Sequence, residues 1–147
     1  MNARQAFTPD SARRTPDPIP FLRLLGMVEE DTPGGQCRMH LPDLREDLCN
    51  QLPAAHGGVI MTLLDVAMAR AATSVPDAPS RTAVTVEMSS RFLHPGRGPL
   101  VAEGFVLNQT RSLCTCQANV LNAEGRIVAT AMGTFKYWHA PLGRSAP

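Results

Sequence analysis

The residues with the clearest potential for chemistry lie in one stretch, residues 50–72, which reads NQLPAAHGGVIMTLLDVAMARAA. After the His56-Gly57-Gly58 turn, the stretch is apolar almost all the way round a helix, and its one acidic side chain is Asp65. A carboxylate among apolar neighbours is costly unless it has a partner or a function. The stretch therefore combines two groups suited to chemistry on a carbonyl, a glycine amide at a helix start and a carboxylate.

The spacing of these two groups predicts how they work together. Gly57 and Asp65 are eight positions apart, which is about 12 Å of helix. Amides at a helix start bind an anion or a polarised carbonyl oxygen, and glycine lets that ligand approach the backbone. Asp65 is too far along the helix to act easily on the same carbonyl. If two copies packed antiparallel, with small Ala69 and Ala72 on the shared stripe, each Asp65 would lie near the partner's Gly57. The spacing therefore predicts a homodimer with two shared sites.

Length and charge restrict the class of protein. A length of 147 residues predicts a single domain with enough chain for one sizeable core. A net charge of +1 gives no electrostatic reason to expect a nucleic-acid or membrane partner. No apolar run is long enough to span a membrane, and the opening MNARQAFTPDSARR lacks the apolar core of a signal peptide. We therefore expect a cytoplasmic protein.

The cysteines predict packing rather than chemistry. They form neither a CxxC pair nor a zinc pattern, at Cys37, Cys49, Cys114 and Cys116. Cys114 and Cys116 lie two apart on a predicted strand and face the same side as Ala118 and Val120. We expect small core residues that stay reduced. The histidines outside the central stretch are scattered, so we expect no metal site.

Turn residues and hydrophobic periodicity predict one long buried helix and a mostly antiparallel sheet of five or six strands. A short helix is predicted over residues 19–25, ending at Gly26. Strands are predicted over residues 27–31, 36–41, 82–93, 100–108, 113–121 and 127–138. The domain then covers residues 19–139, between tails over residues 1–18 and 140–147. Such a sheet must curl around the helix to cover it.

The strand over residues 82–93 alternates between apolar and polar side chains. It is predicted to be half-buried, with Val84, Val86, Met88 and Phe92 on one face and Thr85, Glu87, Ser89 and Arg91 on the other.

With these motifs, the chain resembles the hotdog-fold acyl-CoA thioesterases of the phenylacetate-degradation type. The resemblance rests on His56-Gly57-Gly58, then six residues, then Asp65 on a helix of small residues, with Asn50 six positions before His56. It extends over residues 21–138 and includes the RFLHPGRG turn and the LVAEGFVL strand. The resemblance implies an α+β hotdog fold, a homodimer or a pair of dimers, and hydrolysis of an acyl-CoA without cofactor or metal.

The resemblance also implies a role for each motif residue. The amide at Gly57 polarises the thioester carbonyl, and Asp65 of the other subunit is the nucleophile or the general base. Asn50 helps to place the water or the thioester. His56 shapes the turn and contacts the thioester region. Thr85 stands where some relatives have a Ser or Thr that aids the acid.

Three further implications concern the surroundings of the site. The strand over residues 82–93 is expected to pair across the dimer. Gly58, together with Arg91, Arg97 and Arg111, is expected to bind the substrate, the arginines through the phosphates of coenzyme A. Pro53 stands where relatives often have Gly in Asn-x-x-Gly-x-x-His. Because proline fixes φ and lacks an amide donor, the sequence leaves open whether the Asn50 side chain points toward the site.

Alternative interpretations exist for each residue and for the whole chain. Asp65 can be a hydrogen-bonded core carboxylate, His56 a helix cap, Thr85 an ordinary strand residue, and Asn50 a loop residue bonded to its own backbone. The chain can be a non-catalytic module that binds or senses acyl-CoA. A hotdog hydratase is a third class, but it uses a His with an acid in other motifs. No Gly-x-Ser-x-Gly elbow occurs.

Overall fold

The protein is an open antiparallel sheet packed on one long helix. The computed structural model describes residues 15–16, 18–80 and 82–139. The helices are α1 (Pro20–Leu25) and α2 (Gly57–Ser74). The strands are β1 (Thr15–Pro16), β2 (Val28–Glu30), β3 (Gln36–Leu41), β4 (Ala83–Phe92), β5 (Leu100–Gln109), β6 (Leu113–Asn122) and β7 (Ile127–Tyr137).

The strand order is β1-β2-β3-β5-β6-β7-β4, and every pairing is antiparallel. The six predicted strands are present and the short β1 extends the sheet beyond β2, so the predicted α+β architecture is confirmed. β4, which follows α2 in the chain, lies at the opposite edge from β1. The predicted tails fall outside the described residues except for positions 15, 16 and 18, and the domain bounds stay a prediction. No helix in the described part of the chain is long and apolar enough to cross a bilayer.

Local signals set the ends of the short elements. α1 has proline in its first turn and ends at Gly26, whose φ of 75° is the left-handed conformation that glycine adopts without strain. Leu22 and Leu25 bury the inner side of this helix. Gly125, with φ 75°, makes the predicted hairpin turn between β6 and β7.

One side of α2 forms the centre of the core. Its buried residues are Val59, Ile60, Leu63, Leu64, Ala67, Met68, Ala71 and Ala72. The sheet approaches so closely that a Cβ built on Gly104 would lie 2.2 Å from the Ala67 carbonyl oxygen. The Tyr137 hydroxyl donates to the Ala72 carbonyl at 3.0 Å. Ala72 is therefore fully buried within its own chain, and its predicted place on a stripe facing a partner is wrong, because the last turns of α2 lie beneath Tyr137.

The other side of α2 is left uncovered by its own sheet. Met61 is 42% exposed there. Thr62, Asp65 and Ala69 on the same side are partly exposed. The chain thus covers its apolar helix on one side only.

β4 contains a bulge, and because of it the side chains on each face of this strand differ from those predicted. Thr85 pairs with Phe135 while Glu87 pairs with Thr134, so Val86 is an extra residue. Since one extra residue reverses the alternation, Thr85 and Met88 both face α2 and its core. Val84 is 42% exposed and Val86 57% exposed, so neither shares the buried side of Met88. The predicted grouping of Val84 and Val86 with Met88, and of Thr85 with Glu87, is therefore wrong.

Three of the cysteines are buried as predicted, Cys37, Cys114 and Cys116, whereas Cys49 is only partly buried and lines a surface cleft; all four are free thiols. Cys114 and Cys116 are buried beside Ala118 and Val120, with 3.6 Å between the two sulfur atoms. Burial raises the pKa of the Cys116 thiol, and the neighbouring Cys114 raises it further. The thiol form is therefore favoured, which suits a packing role.

Candidate active site

The start of α2 presents one unused amide. His56 has φ −58° and ψ 142°, and its Nδ1 accepts from the Gly58 N–H at 3.0 Å, which caps the helix. The amides of Val59 and Ile60 bond to the His56 carbonyl at 2.9 and 3.2 Å. Among the described residues, no acceptor takes the Gly57 N–H. Gly57 therefore offers the donor at this helix start, whereas the amide of Gly58, also expected to bind substrate, is already engaged.

Asp65 lies on the uncovered side of α2 and is held by a single hydroxyl. Its Oδ1 accepts from Thr85 Oγ1 at 2.6 Å. The bulge in β4 turns Thr85 toward the helix, so an edge strand supplies the partner. Within the described residues no cation pairs with Asp65. The carboxylate is thus oriented through one oxygen, and its other oxygen has no hydrogen-bond partner among the described residues.

One chain does not bring these two groups to the same carbonyl. Gly57 and Asp65 are eight positions apart on an unbroken helix, and eight residues rise about 12 Å. The residue that does lie against Gly57 is Phe92 at the end of β4. Its ring atoms are 3.7 and 3.8 Å from a Cβ built on Gly57, and the side chain is 50% exposed.

Asn50 and His56 line an open cleft beside the helix start, together with Cys49, Gln51 and Leu52. The Oδ1 of Asn50 accepts from the N–H groups of Leu52 and Ala54 at 2.8 and 3.3 Å. Its side-chain carbonyl therefore holds the loop, which is the local role considered as an alternative. Its NH₂ group is the part left to meet water or a ligand.

Pro53 strains this loop. Its φ is +24°, whereas a proline ring prefers about −65°. The loop is fixed on both sides, by the Asn50 side chain and by the Ala55 N–H, which bonds to the Gly96 carbonyl at 2.8 Å. These bonds hold a backbone shape that suits glycine and that proline adopts at a cost.

Replacing Pro53 with glycine should therefore stabilise the protein. Release of backbone strain is worth about 1–3 kcal/mol, while the added freedom of the unfolded chain costs about 0.4–1 kcal/mol. We expect the free energy of unfolding to rise by about 1 kcal/mol, measured by thermal or urea denaturation. Pro42→Gly is the control and should lower stability, since Pro42 has no positive φ in the structure. A Pro53→Gly variant that is less stable than the parent would contradict the strain.

The three predicted arginines lie in different places. Arg97 donates to the Leu52 carbonyl at 3.3 Å and so lies at the rim of the cleft. Arg91 bonds to Ser89 Oγ at 3.0 Å and, one residue before Phe92, lies on the other face of β4. Arg111 is in the β5–β6 turn, where the Ser112 carbonyl bonds to Tyr137, at the opposite end of the sheet from Phe92. Within one chain, the structure brings only Arg97 to the cleft.

Two residues near the helix start had no motif to identify them. Phe92 belongs to the RFLHPGRG turn region, but its contact with Gly57 depends on how β4 ends over the helix. Arg126 lies in the β6–β7 hairpin, and its NH2 atom is 3.1 and 3.0 Å from the two ring nitrogens of His94. Only the pairing of β4 with β7 brings these distant segments together.

Comparison with known proteins agrees with this arrangement. The family model described as "Thioesterase superfamily" matches residues 52–129, a span that includes Gly57, Asp65 and Thr85. A Halobacterium salinarum protein named "Putative esterase" is 30% identical over 126 residues, covering 79% of this chain and 83% of that protein.

Solved structures show the same fold. A conserved protein of Pseudomonas aeruginosa superposes with a TM-score of 0.75 at 25% identity, over 82% of this chain and 94% of that one. The PaaI protein from the phenylacetic acid degradation operon of Escherichia coli superposes with a TM-score of 0.72 at 22% identity, over 81% and 84% of the two chains. The family description and the name of the H. salinarum relative both concern hydrolysis of esters or thioesters. Since the family model matches more than half of the 147 residues, the chain belongs to the thioesterase superfamily, with the hotdog fold of that group.

Proposed function

We propose that the protein is an acyl-CoA thioesterase of the cytoplasm, which acts as a homodimer, alone or as a pair of dimers. One observation carries the proposal. On the side of α2 that its own sheet leaves uncovered, Asp65 is oriented by the Thr85 hydroxyl, while the unbonded Gly57 amide lies eight positions back along the helix. Each chain therefore supplies both halves of a site but separates them along its helix.

A second copy of the chain would bring the two groups together. If two α2 helices pack antiparallel across their uncovered sides, the partner's Asp65 comes to the Gly57 of the first chain. The half-buried Ala69 permits a close approach of the helices, and the outer edge of β4 is available for pairing with its counterpart. The two-fold relation yields two identical sites.

The proposed chemistry follows from these groups. The thioester carbonyl oxygen accepts from the Gly57 N–H, and the amide and the helix dipole stabilise the charge that develops on it. The partner's Asp65 either attacks the carbonyl carbon or takes a proton from a water that attacks it. If Asp65 attacks, the C–S bond breaks to leave a mixed anhydride on Asp65 and the thiolate of coenzyme A, and water then hydrolyses the anhydride to release the free acid and a proton for the thiolate. If Asp65 acts as the base, the C–S bond breaks after attack by water, and the proton that Asp65 took from the water passes to the thiolate. His56 keeps the helix start in place through its bond to Gly58.

Thr85→Val should lower kcat about ten- to a hundredfold, because a hydrogen bond to a charged group is worth about 1.5–3 kcal/mol. Valine keeps the shape of threonine but cannot donate to Asp65 Oδ1, so the carboxylate loses its orientation. Thr85→Ser is the matched control and should keep most of the activity. Steady-state kinetics on one acyl-CoA measure both variants, and equal rates for valine and threonine would contradict this positioning role.

The proposed function is tested by a panel of acyl-CoA substrates, aromatic and aliphatic, in a thiol-release assay. We expect release of coenzyme A from at least one class. Binding of acyl-CoA without release would instead support the non-catalytic module. Mass in solution tests the shared sites, since a fully active monomer is incompatible with them.

A further inference from the structure

The arginines of the described region divide into two groups by their partners. Several pair with carboxylates: Arg38 with Glu30 at 3.2 Å, Arg45 with Asp47 at 3.1 Å, and Arg70 with Glu29 at 3.4 Å. Arg97 and Arg126, like Arg91, have no carboxylate partner among the described residues; Arg97 contacts a backbone carbonyl and Arg126 an imidazole. Their positive charges are therefore not neutralised by an acid of the described chain.

Both of these arginines lie at one turn, residues 94–98, which packs on the start of α2: Arg97 belongs to the turn, and Arg126 contacts its His94. The Gly96 carbonyl accepts from the Ala55 N–H at 2.8 Å, just before the helix. A Cβ built on Gly96 would lie 3.5 Å from Ile60 of α2. The turn is thus fixed to the same few residues that present the Gly57 amide.

Arg126 is held in place by His94, at the start of the turn. Its NH2 atom is almost equally distant, 3.1 and 3.0 Å, from both ring nitrogens. Both distances are within hydrogen-bond range, so the His94 ring positions this end of the guanidinium. Because an arginine has five N–H donors, Arg126 keeps other donors for a ligand.

We propose that Arg97 and Arg126 bind phosphate groups of coenzyme A at the turn over residues 94–98. The proposal rests on the proposed function for the identity of the ligand. A thioester held at Gly57 sends its pantetheine arm out of the cleft past this turn, because Arg97 and Leu52 form the rim there. Guanidinium groups bind phosphate oxygens through charge-assisted bonds. Arg126 takes the part that the sequence suggested for Arg111, which lies at the other end of the sheet.

The first test measures binding and does not require catalysis. Calorimetric titration with free coenzyme A, dephospho-coenzyme A and pantetheine is compared for the parent, Arg97→Gln and Arg126→Gln. We expect each variant to weaken binding of coenzyme A about three- to tenfold, as for one solvent-accessible charge-assisted contact. Pantetheine should bind all three proteins equally. Dephospho-coenzyme A lacks the 3′-phosphate and so identifies the phosphate that each arginine contacts. If an arginine contacts the 3′-phosphate, its substitution leaves the affinity for dephospho-coenzyme A unchanged.

Lys136→Gln is the control, because it removes an exposed cation from the far end of β7. It should leave every affinity unchanged. The proposal is overturned if both arginine variants bind coenzyme A as tightly as the parent. It is also overturned if they weaken pantetheine and coenzyme A equally, since that result indicates damage to the turn.

Kinetics then separate this inference from the proposed function. In Arg126→Gln, KM for an acyl-CoA should rise by the same factor as the dissociation constant, while kcat stays constant. If the parent releases thiol and both arginine variants have an unchanged KM, the phosphate site is refuted but the thioesterase function is not. Phosphate-dependent binding of coenzyme A without any thiol release refutes the thioesterase and leaves the phosphate site standing.

Discussion

Asp65→Asn should abolish thioester hydrolysis while the fold and the dimer persist. Asparagine has nearly the same shape and can still accept the Thr85 hydroxyl through its carbonyl oxygen, so the contact at 2.6 Å survives. It can neither attack a thioester carbonyl nor take a proton from water. A general base alone contributes about 10²- to 10⁴-fold, so we expect a loss of kcat of about 10³-fold or more.

The measurement is thiol release over a long time course, with circular dichroism and solution mass on the same samples. Asp77→Asn is a matched control, because Asp77 is exposed in the loop after α2 and the substitution is chemically identical. It should retain the parental rate. An Asp65→Asn enzyme with full turnover refutes the catalytic role of this carboxylate.

Gly57→Pro should remove the carbonyl-polarising donor without removing the helix. Proline has no N–H, yet it is well tolerated in the first turn of a helix, where Gly57 lies. The preceding residue, His56, already has the extended conformation, with ψ 142°, that proline requires of its neighbour. Loss of one such donor costs about 10²- to 10³-fold in kcat, and we expect a loss of that size.

Gly57→Ala is the matched control for the amide. It keeps the N–H, and its added Cβ would lie 3.7 Å from the Phe92 ring, an ordinary van der Waals contact. We expect the alanine enzyme to keep most of its kcat, with circular dichroism confirming that both variants are folded. Equal activity of the proline and alanine enzymes would show that the Gly57 amide does not act on the carbonyl.

Mixing the two inactive chains tests whether a site is shared. A mixed dimer combines the intact Gly57 of the Asp65→Asn chain with the intact Asp65 of the Gly57→Pro chain. One of its two sites is then complete if the sites are shared, and neither is complete if each lies within one chain. For random pairing of equal amounts in a two-fold dimer, we expect about a quarter of the parental activity. No recovery after verified exchange of subunits would refute shared sites.

The sequence was sufficient to predict the elements that position the site. The α2 pattern is long and apolar, and Gly26 and Gly125 mark turns whose geometry requires them, so these features agree with the structure. The proximity of Thr85 to Asp65 followed from the family resemblance rather than from strand periodicity.

Other features depend on pairing between distant segments, which periodicity does not reveal. The bulge at Val86 exists only relative to β7, so simple alternation placed Thr85 on the wrong face. The approach of Arg126 to His94 likewise needs β4 and β7 side by side. The engagement of the Gly58 amide depends on the rotamer of His56, and spacing along the chain carries no information about it.

The extra residue in β4 also bears on how this strand can change during evolution. Val86 is mostly exposed, so many side chains can replace it in a single chain without disturbing the core. Deleting it restores strict alternation, which forces either Thr85 away from Asp65 or Met88 out of the core. Relatives that keep the Thr85 hydroxyl should therefore tolerate substitution of Val86 far better than its deletion.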